Sequence, residues 1–142
     1  MNTVLESAPY MAECLKCESL IEVTVVEVLT AGVHQWDIEG DCTACGFRWN
    51  EWGYDSPLPG MRAAILGTNG STDLQLAAGS ATPAAVMHAL RKVRALSLIE
   101  ARAMAEELDN RGLSGTRVEM EVLAIALRAS GAIVTTCSSG AV

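Results

Sequence analysis

From Ile21 onward, Ile21, Val23 and Val25 are apolar while Glu22 and Thr24 are polar, a period of two that predicts a strand with one buried face. The apolar positions change phase at Val26 and Val28, which predicts a bulge. Ala31-Gly32 marks a turn, and His34, Trp36 and Ile38 share one face of a second strand. Phe47 and Trp49 line a third strand, with Trp52 on the side opposite Trp49, where it covers these strands, docks against a second domain or anchors a partner. Beyond residue 80 the period becomes helical. Val86, Ala89, Leu90 and Val93 form an aliphatic stripe, and Thr82 and Pro83 supply the cap and first position of that helix. The neighbouring stripe of Ala84, Met87, His88 and Arg91 mixes thioether, imidazole and guanidinium, which suits an exposed recognition strip.

Ser97 and Glu100 have capping-box spacing and open a second helix with Leu98, Ala101, Ala105 and Leu108 expected to face inward. Arg102 lies outside that set and would join Arg91 at the rim of one surface in a tight helix hairpin. Thr116 and Glu119 form another box, ahead of inward Met120, Leu123, Ala124 and Leu127. Gly131 suits the C′ position, and Ala132 to Thr136 reads as a final strand.

The chemical signal lies in the cysteines. Cys14-Leu15-Lys16-Cys17 and Cys42-Thr43-Ala44-Cys45 are separated by 24 residues. Two such knuckles can bring four sulfurs to about 2.3 Å from one Zn²⁺, and Gly46 supplies the positive φ that the second turn needs. Four protein ligands leave no open position, so the expected Zn²⁺ is structural. Cys137 is left over and is expected to be a small buried or end-strand residue.

The expected organisation is two small domains. Residues 1–12 read as a tail, 13–54 as an antiparallel β zinc ribbon, 55–72 as a proline-containing linker and lead-in, 73–137 as an α/β sandwich of three helices on a small sheet, and 138–142 as a tail. Met61 to Leu66 could be an added strand or a lead-in helix. Charge supports the division: residues 1–60 carry two basic and ten acidic side chains, residues 61–142 eight and seven. Such an acidic first segment is a poor binder of phosphate backbones.

The run from Leu74 to Thr136 resembles the C-terminal domain of the bacterial ribosomal stalk protein, the L seven/L twelve family, which recruits translational GTPases to the large subunit. The resemblance is carried by the opening LQLAAGSA, the helix AAVMHALRKV, the pattern LSLIEARAMA and the ending VLAIALRASGAIV. It implies the α/β sandwich and a partner-binding face at Pro83, Ala84, Met87, His88, Arg91 and Arg102. Arg91 retains an arginine, Arg102 keeps the charge of a family lysine, and Met87 keeps an apolar contact. Pro83 and His88 stand where lysines are usual, Ala84 replaces a larger aliphatic residue, and Lys92, Ala95 and Ser97 replace glycines around the hairpin. The segment DNRGLSG occupies the place of a short central strand of the family.

Sequence features point away from an enzyme: neither His34 nor His88 has a local nucleophile motif, and no nucleotide-binding loop is present. The N-terminus lacks a secretory signal and no stretch approaches the roughly 20 apolar residues of a membrane span, so a cytoplasmic location is expected. The leading expectation is an interaction module for a translational GTPase or ribosomal component, with the ribbon as second contact. An adaptor that reuses the fold, as the Clp-protease adaptor does, is one alternative. Its acidic ribbon would dock basic protein sites, including those of a polymerase. The other alternative is nucleic-acid binding through Arg91, Lys92, Arg94 and Arg102, against the simpler reading of a solvated basic face.

Overall fold

A computed structural model describes residues 3–139, and the chain divides after Gly70 into two compact units. In the first unit, strands β1 (Val4–Glu13), β2 (Leu20–Thr30), β3 (Val33–Asp41) and β4 (Arg48–Tyr54) form an antiparallel sheet in that order, followed by helix α1 (Pro59–Asn69). The second unit comprises β5 (Thr72–Leu76), α2 (Pro83–Val93), α3 (Leu98–Asn110), β6 (Leu113–Gly115), α4 (Arg117–Ala129) and β7 (Val134–Ser138), with strand order β6-β5-β7.

Two features of the first unit differ from the expectations, and a third decides between two readings left open. Residues 4–13 are strand β1 rather than tail, paired with β2 from Val4↔Leu29 to Glu13↔Leu20. The stretch has no clear hydrophobic periodicity, which hid this strand, and Pro9 is tolerated within it because β1 is an edge strand. The bulge in β2 is absent. Its register to β1 and β3 is continuous, and the inward series runs Ile21, Val23, Val25, Glu27, Leu29, so a carboxylate occupies the position where the phase seemed to change. Finally, Met61 to Leu66 takes the lead-in helix of its two readings, and the helix extends over Pro59–Asn69. Pro59 takes the first helical position, Met61 and Ile65 bury one face, α1 packs against β1, and Asn69 Nδ2 donates to Ser7 O at 3.0 Å.

Ala31 and Gly32 join β2 to β3 with φ of 52° and 79°, the conformation of a two-residue type I′ hairpin. Across β3 and β4, large rings face glycines: Trp49 lies over Gly40 and Trp36 over Gly53, so that a Cβ on Gly40 would meet the Trp49 ring at 2.4 Å. Among the described residues, the first core has nine buried apolar members, two of them cysteines, against thirteen in the second. The first unit therefore leans more on something besides apolar burial.

In the second unit the helix caps form as the sequence specifies. Ala85 N donates to Thr82 Oγ1 at 3.1 Å, and full capping boxes join Ser97 to Glu100 and Thr116 to Glu119. Val86, Ala89, Leu90, Ala105, Leu108 and the four inward residues of α4 pack around Leu74 and Val134. Leu98 differs from its expected place: immediately after the cap, it is 62% exposed, and Ala101 begins the buried face. The chain leaves α3 through Gly112 (φ 87°), where a Cβ would lie 2.6 Å from Leu74 O, so only glycine lets β6 approach β5. Leu113–Gly115, within DNRGLSG, does form a short strand, β6, but at the sheet edge and not at its centre. Strand β5 begins at Thr72, and β7 includes Ser138, the first residue of the expected 138–142 tail; residues 140–142 lie outside the described residues.

Candidate metal centre

The two cysteine knuckles are the turns at one end of the first sheet: Cys14 to Ser19 links β1 to β2, and Cys42 to Phe47 links β3 to β4. They repeat the same hydrogen bonds. Cys14 N donates to Ser19 O and Glu18 N to Cys14 O at 2.9 and 3.0 Å; Cys42 N donates to Phe47 O and Gly46 N to Cys42 O at 2.9 and 2.8 Å. Each turn closes on a residue of positive φ, Glu18 at 64° and Gly46 at 77°. Gly46 has the expected conformation at no cost, whereas Glu18 adopts it with a side chain, at about 1 kcal/mol.

Each knuckle is anchored between two strands, the first between β1 and β2 and the second between β3 and β4. That brings all four Sγ atoms within 4.8 Å of one another, with Cys14–Cys45 at 3.7 Å and Cys17–Cys42 at 3.6 Å. A tetrahedron with metal–sulfur bonds of about 2.3 Å has edges of about 3.8 Å. The four cysteines are thus compatible with a single structural metal site. Cys14 and Cys42 are buried, and Cys17 and Cys45 are exposed.

Local hydrogen bonds already favour thiolates at part of the site. Burial acts to raise the pKa of Cys14, but the backbone N–H groups of Cys17 and Lys16, 3.5 and 3.4 Å from its sulfur, outweigh it and hold the thiol below its ordinary range. The Ser19 hydroxyl, 3.2 Å away, and the Ser19 backbone lower Cys17 to about 6. At Cys45 the Phe47 backbone N–H lowers the pKa, yet burial and the three neighbouring sulfurs prevail and push it up to about 11. Without a cation, four thiolates at these distances repel, so the last proton stays on; a bound dication reverses that balance. Cys137 is separate, exposed on β7.

The expected partner-binding residues of the second unit fall into two places. Ala84, Met87, His88 and Arg91 line a groove of about 990 Å³ between α2 and the start of α3, together with Leu96 and Leu98. Arg102 does not join them. It lines a second groove of about 660 Å³ with Leu76, Val86 and Ala105, and Met87 is shared by both. The reason is that Arg91 turns its Nε to Leu96 O at 3.1 Å, closing the hairpin, while Arg102 pairs along its own helix with Glu106 at 3.3 Å. Pro83 also lines the second groove.

Sequence reasoning missed a buried ionisable pair in the first unit. Glu27, on the inward face of β2, has no exposed surface, and its Oε2 lies 2.7 Å from His34 Nε2 on β3. Glu27 Oε1 has no hydrogen-bond partner among the described residues. The signal was present in the alternation, since an unbroken period of two from Ile21 to Leu29 puts Glu27 inside.

Among the described residues no helix is long and apolar enough to cross a membrane. Comparison with known proteins found no matching family model, no matching curated protein and no matching solved structure.

Proposed function

We propose that this chain is a non-enzymatic protein-interaction module, holding one structural Zn²⁺ at Cys14, Cys17, Cys42 and Cys45 and meeting a translational GTPase or ribosomal component through its second unit. Zinc is preferred because four thiolates in a tetrahedron suit it and leave no position for substrate. The same reduced thiols underlie a cytoplasmic location. The stalk-like reading is supported by the order β5-α2-α3-β6-α4-β7, three helices with a small sheet.

One observation carries the partner surface: the α2–α3 hairpin gathers Ala84, Met87, His88 and Arg91 along one open groove and exposes Leu98 and Ile99 beside it, at 62% and 83%. Apolar side chains rimmed by Arg91 and Lys92 fit an acidic protein surface with an apolar centre. The test is equilibrium binding of purified, GTP-bound translational GTPases to the zinc-loaded full chain and to a His88→Glu, Lys92→Glu variant, with folding of each checked by circular dichroism. Both substituted residues are exposed. Binding should weaken about tenfold or more in the variant. Equal binding by both proteins, or binding by neither, overturns the assignment.

A further inference from the structure

The outward face of the first sheet has a composition that neither the metal centre nor the α2–α3 groove uses. Register puts Val28, Gln35 and Tyr54 in one cross-strand row, Val26, Asp37 and Trp52 in the next, and Thr24, Glu39 and Asn50 in a third. The unit's own core lies on the other face, formed by Val23, Val25 and Ile38 with Met61 and Ile65 of α1. On the outward face Trp52 and Tyr54 are 59% and 62% exposed, and their rings meet edge to face at 5.5 Å.

Charge on this face is one-sided. Its outward positions hold five carboxylates, Glu13, Glu22, Asp37, Glu39 and Asp41, and a single cation, Arg48, which already pairs with Asp41 at 3.3 Å. Asp37 and Glu39 stand two residues apart on β3 and so project to the same side. Partial burial first, and then Glu39, raise the pKa of the Asp37 carboxyl. In the isolated unit this acid pair therefore carries an unrelieved repulsion beside an exposed indole.

We propose that this face is a docking surface for a positively charged protein segment in which arginine alternates with apolar side chains. A guanidinium placed at the Asp37 row would meet a carboxylate and the Trp52 ring together, combining a charge-assisted hydrogen bond with cation–π attraction. The intervening apolar side chains would lie on Val26, Val28 and Tyr54. Other occupants are disfavoured by the same charges. Nucleic acid and anionic membranes are repelled by five carboxylates, and a second copy of this face would bring like charges together. The surface gives specific content to the idea of an acidic ribbon as a second contact, and it shares no residue with the α2–α3 groove, so the two proposals fail separately.

The test immobilises the zinc-loaded full chain and selects binders from a randomised decapeptide library, with an Asp37→Asn, Glu39→Gln variant and a Trp52→Ala variant as parallel baits. All three substitutions are on the outward face, and unchanged circular dichroism establishes that each variant is folded. Selected peptides should be enriched in arginine next to apolar residues, bind each variant at least tenfold more weakly, and lose affinity as salt rises. No enrichment, enrichment of neutral or acidic sequences, or equal affinity for wild type and variants overturns the proposal. Concentration-dependent dimerisation abolished by Trp52→Ala would also overturn it, by making the face a contact between two copies.

Discussion

Replacing His34 by alanine should destabilise the first unit far more than replacing its partner Glu27 by methionine. The Glu27 carboxylate is fully buried, 2.7 Å from a ring that is 10% exposed, and its other oxygen is unpartnered. Taking away the imidazole leaves a buried carboxylate with no partner, a change that costs about 3–5 kcal/mol where one member of a buried pair is removed. Methionine at position 27 removes the ionisable group and the orphaned oxygen together. Since an unsatisfied buried acceptor costs about 1–3 kcal/mol, that variant should be neutral or modestly more stable. For a unit of this size each kcal/mol corresponds to roughly 4–8 °C in melting temperature, so the two variants should separate by more than about 10 °C. The assay is unusually clean, because all three tryptophans, Trp36, Trp49 and Trp52, belong to the first unit. Urea and thermal unfolding followed by tryptophan fluorescence at pH 7, with zinc in fixed excess, therefore report that unit. If His34→Ala lies within about 0.5 kcal/mol of wild type, or Glu27→Met loses as much as His34→Ala, the pair does not have the energetic role argued for it.

Metal removal should unfold the first unit: chelation is expected to abolish its cooperative fluorescence transition, because structural zinc contributes about 10–16 kcal/mol of apparent binding free energy and the apolar core is small. Elemental analysis should give one zinc per wild-type chain and little in Cys14→Ser. A Gly40→Ala substitution should cost about 1–3 kcal/mol in the same fluorescence assay, since the new methyl must displace the Trp49 ring lying 2.4 Å from it. In the second unit the Ser97 backbone N–H, then its side chain, hold the Glu100 carboxyl below the usual carboxylate range. A lowered folded-state pKa stabilises above the unfolded value and is lost as pH falls through the folded one. Amide protection factors at the start of α3, taken against the intrinsic exchange rate at each pH, should therefore fall on acidification in wild type, and already be low at pH 7 in Glu100→Ala.

Much of this molecule was legible without coordinates, for local reasons. The paired knuckle spacing picked out the four cysteines that cluster, because a CxxC turn and the residue after it fix where two sulfurs can go. The helices of the second unit were legible from Thr82, Ser97 and Thr116, whose side chains cap within three residues, and from stripes such as Met120, Leu123, Ala124 and Leu127. The Ala31-Gly32 hairpin was likewise a property of two residues.

What only the tertiary structure decided depends on neighbours distant in sequence. Val4–Glu13, with a central proline and few large apolar groups, becomes a strand because β2 offers it a ladder and α1 covers it. Glu27 sits inside because β2 keeps one register against both of its neighbours, and His34, brought beside it by the hairpin, makes that tolerable. Arg91 and Arg102 occupy separate grooves because one is drawn to a loop carbonyl and the other to a carboxylate on its own helix. Periodicity gives each side chain a direction relative to its own strand or helix, but which partner waits there is set by how the elements pack.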